Sequence, residues 1–199
     1  MQILSTMLIA AAGVMSAAVD HSVVAKVTLQ SRADGQPMSF SNVIINSAAY
    51  TVFLSSDIRY PAGTQPSSNQ KTATPNVSNN LAATSTQSDE NPNIVYVLQC
   101  TKAGFRDDCT VFGAPYGQCV SYWDFNSQGK EDISDRFNDK VTALSTNTGG
   151  VCQFYRDTGC DESGNDRGFS TSYNTNLAVA TPEDSRTVLY EKKISSWRC

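Results

Sequence analysis

Two stretches of the C-terminal half carry one pattern twice. Val97-Leu98-Gln99-Cys100 leads through to Asp139-Lys140-Val141-Thr142-Ala143-Leu144, and Cys152-Gln153-Phe154-Tyr155 leads through to Lys192-Lys193-Ile194-Ser195-Ser196-Trp197. In register, Cys100 stands with Tyr155 and Phe105 with Cys160, an offset of 55; Asp139 stands with Lys192 and Thr142 with Ser195, an offset of 53. One short indel therefore separates the copies. Self-similarity at a period of roughly fifty residues means one supersecondary unit used twice. Each copy opens on a β-like run, turns at Thr101-Lys102-Ala103-Gly104 or Arg156-Asp157-Thr158-Gly159, and closes on a β-like run after a polar corner. Four-strand units of this length that come in pairs are Greek keys, so the pattern predicts an all-β domain over 94–199, with repeats near 94–146 and 150–199.

The chain opens on an apolar, uncharged run from Met1 to Met15 and reaches Ser16-Ala17-Ala18 before its first acid, Asp20. Small residues there suit signal peptidase, which predicts a signal peptide over 1–18 and a secreted, extracellular mature chain. The run is too short to span a bilayer, and no later segment approaches twenty apolar residues. Six cysteines follow, Cys100, Cys109, Cys119, Cys152, Cys160 and Cys199, with no Cys-x-x-Cys pair. An even count in an exported chain reads as three disulfides rather than as a zinc or redox site. Six cysteines allow fifteen connectivities. The shortest loop with turn residues, Gly113-Ala114-Pro115-Tyr116-Gly117, favours Cys109 with Cys119; a bridge from Cys199 to Cys160 or Cys152 would tie the last strand to its own repeat.

Residues 19–60 read as a β-rich segment. Val23 to Gln30 alternates apolar and polar as a half-buried strand does, and Met38 to Ile45 and Ala49 to Ser55 are two further strand candidates of a small β-meander. Residues 61–93 are dominated by Ser, Thr, Asn, Gln, Pro and Ala, which cannot bury enough surface to offset their ordering entropy, so they read as a flexible linker or long loop. That stretch holds the N-glycosylation sequon Asn76-Val77-Ser78. Net charge is −4, spread without runs, which argues against nucleic acid or an anionic membrane as partner.

Specific residues narrow the double Greek key further. Phe154-Tyr155-Arg156-Asp157-Thr158-Gly159-Cys160 resembles the first-hairpin motif of βγ-crystallins, in which one aromatic precedes another by five residues and a glycine by seven. Phe137-Asn138-Asp139-Lys140-Val141-Thr142-Ala143-Leu144 resembles their second motif: two Asn/Asp residues, any two, then Ser/Thr and Ser. Glu191-Lys192-Lys193-Ile194-Ser195-Ser196 is its degenerate partner. The chain departs from the pattern at Asp107 and Glu162 in place of glycine, at Cys100 for the first aromatic, and at Ala143 for a serine. The resemblance is to a βγ-crystallin-like domain of the cysteine-rich type seen among small secreted fungal proteins. It implies calcium held by backbone carbonyls, hydroxyls and acidic oxygens on the corners. The residues so implied are Asn138, Asp139, Thr142 and Ser195, with Lys140 offering only its carbonyl and Lys192 and Lys193 standing where an acid would help. Hard oxygen ligands suit calcium; the same short polar side chains also satisfy backbone groups in a corner.

An enzyme is disfavoured. The only histidine, His21, stands beside the expected mature terminus, leaving no base for a Ser or Cys nucleophile. Carboxylates such as Asp132, Asp135, Asp161 and Glu162 show no marked pair. The reading is a secreted, monomeric, non-enzymatic binding protein, a fungal effector acting on a host or competitor, with an extracellular protein or a glycan as its partner. The alternatives are a calcium-stabilised cell-wall protein and a toxin-like antimicrobial or protease inhibitor. Tyr122-Trp123-Asp124-Phe125, with Tyr116, Tyr173 and Trp197, reads first as core packing and alternatively, if it lies on an alternating strand, as an aromatic binding surface.

Overall fold

A computed structural model describes residues 38–64, 94–160 and 166–199. The expected signal peptide, the strand candidate Val23 to Gln30, His21, Asn76, most of the Pro/Ser/Thr-rich stretch, Asp161 and Glu162 lie outside the described residues. The strands are β1 (Ile58–Arg59), β2 (Ile94–Lys102), β3 (Arg106–Pro115), β4 (Val120–Ser121), β5 (Ala143–Thr146), β6 (Cys152–Tyr155), β7 (Phe169–Thr171), β8 (Tyr173–Asn174) and β9 (Ser196–Arg198). They form two sheets, ordered β1-β3-β2-β5-β8 and β4-β9-β6-β7.

The order is the signature of two interlocked units. In chain order the first unit is β2 to β5 and the second β6 to β9. Leaving β1 aside, each sheet reads second, first and fourth strand of one unit, then the third strand of the other, because β4 pairs with β9 and β8 with β5. The domain is mostly β, and its strand order is consistent with the two expected Greek keys, with the third strands exchanged between them. The backbone carries the repeat as well. Gly104 and Phe105 are left-handed at φ 73° and 55°, and their counterparts Gly159 and Cys160 at 77° and 52°. Asp107, where the resemblance has glycine, is left-handed too (φ 68°), a conformation that Asp tolerates better than most residues.

One core lies between the sheets, with Val97, Phe112 and Leu144 from one and Phe154, Phe169 and Trp197 from the other. Trp197 packs on Phe112, Tyr122 and Phe125 with ring centroids 5.0–5.5 Å apart. The opposite face of the first sheet is covered too. Tyr96, Leu98, Cys100 and Val111 pack there against Met38, Ile44, Ala49 and Phe53. That explains why Ile94 to Leu98 is a continuous apolar run rather than an alternating one: β2 is buried on both faces.

The covering segment corrects the expected meander. Asn42–Ile45 and Ala49–Ser55 are helices, α1 and α2, and among its described residues only Ile58–Arg59 is a strand, parallel to β3. Ala49, Phe53 and Ser56 are the buried positions, a spacing of three to four that belongs to a helix. Asn147 fastens the segment: its backbone carbonyl accepts from the Ser41 N–H at 3.0 Å, its amide donates to the Ser39 carbonyl at 2.7 Å, and its Oδ1 accepts from the Tyr96 N–H at 3.1 Å. The described residues all fall within one compact unit.

Two local expectations fail for identifiable reasons. Tyr122–Phe125 is a 3-10 helix, not an alternating strand, because Ser121 and Asp124 form a reciprocal capping box at its start. Tyr122 and Phe125 consequently face the core, as does Trp197, while Trp123 and Tyr116 remain exposed. The disulfides are Cys100–Cys109, Cys119–Cys160 and Cys152–Cys199. Cys109 cannot reach for Cys119 because it sits directly opposite Cys100 in the β2–β3 hairpin, Cα atoms 4.2 Å apart. The third bridge does tie the last strand to its own repeat, through Cys152, and the second links the two repeats.

Candidate functional site: two crossed corners

After α3 (Ser134–Phe137) the chain turns through Asn138 and Asp139 into β5, and after a second 3-10 helix, Ser185–Leu189, it turns through Glu191 and Lys192 into β9. Asp139 and Lys192 are both left-handed, at φ 56° and 52°. The corners also share their hydrogen bonds. Lys140 donates to the Phe137 carbonyl and Lys193 to the Tyr190 carbonyl, both at 3.1 Å. Thr142 and Ser195 donate to Cys100 and Tyr155, the first-strand residues of their own repeats, at 2.9 and 2.8 Å.

Two further bonds cross from one repeat to the other. The Asp139 N–H donates to the Ile194 carbonyl at 3.2 Å, and the Lys192 N–H to the Val141 carbonyl at 3.0 Å. This reciprocity brings each corner's turn beside the other corner's hydroxyl. Ser195 Oγ donates to Asp139 Oδ1 at 3.5 Å, and Thr142 Oγ1 to Glu191 Oε1 at 3.2 Å. Asn138 Nδ2 donates to Asp139 Oδ2 at 3.0 Å.

The sequence-derived residues thus separate into two groups. Asn138, Asp139 and Ser195 come together in one corner; Thr142 lies in the other, with Glu191. Sequence reasoning quoted Glu191 as the head of the degenerate motif and missed it as a site residue, although the repeat register sets it opposite Asn138. These two residues share another property. Asn138 Oδ1 and Glu191 Oε2 are buried and have no hydrogen-bond partner among the described residues. A buried acceptor left unpaired costs about 1–3 kcal/mol, so two at equivalent positions are not neutral.

The charges around the corners are mixed. The Lys140 ammonium is turned away to the Asp135 carbonyl, whereas Lys192 Nζ stands 3.9 Å from Glu191 Oε1 with its side chain mostly exposed. Among the described residues no group of three or more His, Cys, Asp or Glu is placed to hold a metal. Each corner instead offers one carboxylate and one hydroxyl, Asp139 with Ser195 and Glu191 with Thr142, and the first adds the Asn138 amide oxygen. Burial pushes the Tyr122 hydroxyl pKa well above its ordinary value, and the nearby Asp139 carboxylate adds to the rise. Tyr122 remains a neutral donor to Gln99 Oε1, 2.5 Å away.

Asp132 and Asp135, weighed as catalytic carboxylates, have structural surroundings. Asp132 accepts from the N–H and hydroxyl of Ser127, both at 2.8 Å, and these bonds hold its pKa below the ordinary range. Asp135 lies in the first turn of α3. No helix among the described residues is long and apolar enough to cross a membrane.

No protein-family model matches the sequence, and no curated protein matches it. A solved structure is similar over 52% of this chain and 86% of its own, at 16% identity and a TM-score of 0.31: the crystal structure of a βγ-crystallin domain of Abundant Perithecial Protein from Neurospora crassa in the calcium-bound form. The exchanged third strands and the reciprocal corner bonds, rather than a likeness that loose, carry the fold.

Proposed function

We propose that the chain works outside the cell as a non-enzymatic binding scaffold whose corners take up calcium and so stiffen the joint between its two repeats. The carrying observation is the pair of buried, unpartnered acceptors, Asn138 Oδ1 and Glu191 Oε2, at equivalent positions of crossed corners. The donors are hard oxygens, as calcium requires. Asn138, Asp139 and Ser195 would hold one ion, Glu191 and Thr142 a second and weaker one beside Lys192. An ion in either corner would join residues of both repeats and therefore bind only the folded state. Three disulfides support an extracellular address, since such bridges persist in oxidising compartments. An effector acting on a host or competitor is the use that the crystallin-like resemblance suggests for such a scaffold.

Thermal unfolding of the oxidised chain with calcium and with chelator tests this. At a hundred times the dissociation constant, a ligand specific to the folded state adds about 2.7 kcal/mol, which raises Tm by roughly 5–10 °C at this chain length. Asp139→Asn, which keeps a residue that tolerates φ 56°, should lose most of the rise, and Glu191→Gln a smaller part. An unchanged Tm up to millimolar calcium refutes the proposal.

A further inference from the structure

Away from the corners, the outer face of the second sheet carries a cleft of about 340 Å³. Its floor is a row across three strands. Gln153 is the Cα partner of Ser170 on β7 and of Arg198 on β9. Their chain neighbours Phe154, Phe169 and Trp197 are buried between the sheets, so by strand alternation the row points outward. Tyr116 and Val151, exposed by 76% and 63%, flank the row, and the Cys152–Cys199 bridge lies at its base.

The cleft is held in shape. Gln153 Nε2 donates to the Arg167 carbonyl at 2.9 Å, and Gln153 Oε1 accepts from Arg198 Nη2 at 3.2 Å. The Arg198 guanidinium lies over the Tyr155 ring, 5.8 Å from its centroid. The turn carrying Tyr116 is fastened to the last strand, because the Gly117 N–H donates to the Cys199 carbonyl at 2.7 Å.

The lining decides the ligand class. β6 and β9, which carry Gln153 and Arg198, are each paired on both sides, so at the centre the floor offers side chains and no open backbone for an added peptide strand. One cation in a chain of net charge −4 is too little for nucleic acid. Among the described residues that line the cleft, Arg198 is nevertheless the only Arg, Lys, Asp or Glu, in a chain where acids outnumber bases. Guanidinium matches a carboxylate's two oxygens, and an exposed tyrosine ring presents an apolar face with a polar tip.

We propose that this cleft binds an acidic, uronate-bearing saccharide. The C–H face of a sugar ring packs on Tyr116 and Val151, Ser170 bonds ring hydroxyls, and Arg198 pairs with the carboxylate. The site goes beyond the calcium reading and does not depend on it.

The test titrates the full oxidised chain, in chelator so that calcium cannot bridge protein and sugar, with oligogalacturonate and with the same oligomer methyl-esterified. Calorimetry should show binding of the acid form and at least ten-fold weaker binding of the ester. Arg198→Gln and Tyr116→Ala should each weaken the acid form at least ten-fold with Tm retained; Tyr116 is so exposed that its truncation leaves folding intact. Failure to bind, equal affinity for acid and ester, or undiminished affinity in Tyr116→Ala overturns the proposal.

Discussion

Asp166 provides a demanding test of how the second repeat is held. Its carboxylate is buried, 1% exposed, and takes four hydrogen bonds. Oδ2 accepts from the N–H groups of Arg156 and Asp157 at 2.5 and 3.2 Å; Oδ1 accepts from the Gly168 N–H at 3.2 Å and the Tyr190 hydroxyl at 2.7 Å. Arg156 Nε stands 3.7 Å away. One side chain thereby joins the end of β6, the approach to β7 and the last aromatic before the second corner. Asp166→Asn keeps the shape and turns one acceptor into a donor. If the new amide nitrogen faces Arg156 and Asp157, two buried N–H groups lose their acceptor at about 1–3 kcal/mol each, so the variant should lose about 3 kcal/mol. Asp166→Ala leaves all four donors without their acceptor and should lose at least as much, about 3–5 kcal/mol.

The pH dependence gives a second readout. Burial alone would raise the Asp166 pKa, but the Tyr190 hydroxyl and the N–H groups of Arg156, Gly168 and Asp157 outweigh it and hold it below the ordinary value. A group lowered on folding contributes stability above its unfolded pKa, about 3.9 for Asp, and loses it as pH falls through the folded value. In urea unfolding with disulfides intact, the gap between wild type and Asp166→Asn should be full at pH 7 and narrow below about pH 4. A variant within about 0.5 kcal/mol of wild type at pH 7, the range of an ordinary surface change, refutes the reasoning. A gap that does not narrow in acid refutes the electrostatic part.

Three further perturbations separate the elements of the fold. Replacing both cysteines of a bridge by serine should cost about 4 kcal/mol for Cys152–Cys199, separated by 47 residues, and about 2.5 kcal/mol for Cys100–Cys109, separated by 9, if loop closure dominates; denaturant midpoints give the ranking. Gly168 is left-handed, and a Cβ there would meet Tyr155 Cε1 at 2.8 Å and the Phe154 carbonyl at 2.9 Å, so Gly168→Ala should lose more than about 2 kcal/mol. Gly159→Ala, left-handed but in open space, should lose about 1 kcal/mol in the same urea assay. Trp197→Ala should cost about 3–5 kcal/mol and Trp123→Ala under about 1 kcal/mol, with the blue-shifted tryptophan emission lost only in the former.

The repeat was legible because each copy keeps the residues that its hairpin and corner demand: Gly104 and Gly159 at left-handed turns, Thr142 and Ser195 at the entry to the last strand. The helices over 42–45 and 49–55 were not. Val43, Ile44, Ile45, Thr51 and Val52 are β-branched, and local composition there favours strands. What decides them is a surface elsewhere in the chain, the second apolar face of β2, which a half-buried meander would have left uncovered. The run Ile94 to Leu98 held that information, but it speaks about residues 38–55 only once the two segments are known to touch. The disulfides obey the same logic: Cys100 faces Cys109 because the hairpin register puts them opposite, and loop length between Cys109 and Cys119 says nothing of that.

The candidate site shows the limit most sharply. Aligning the repeats by sequence places Asp139 with Lys192, Asn138 with Glu191 and Thr142 with Ser195, and so invites a site built within each copy. The third strands are exchanged, however, and the Asp139 N–H and Lys192 N–H reach across to Ile194 and Val141. Each hydroxyl is thereby handed to the opposite turn: Ser195 to Asp139, Thr142 to Glu191. An acid lost from one copy then weakens a corner completed by the other. Lys192, at the position Asp139 fills in the first repeat, therefore bears on the Thr142 corner rather than on Ser195. Lys192→Asp should accordingly strengthen the corner of Glu191 and Thr142 and leave that of Asp139 and Ser195 unchanged. A calcium-dependent gain in Tm that survives in Lys192→Asp combined with Asp139→Asn would verify the crossing, and a gain that needs Asp139 would refute it.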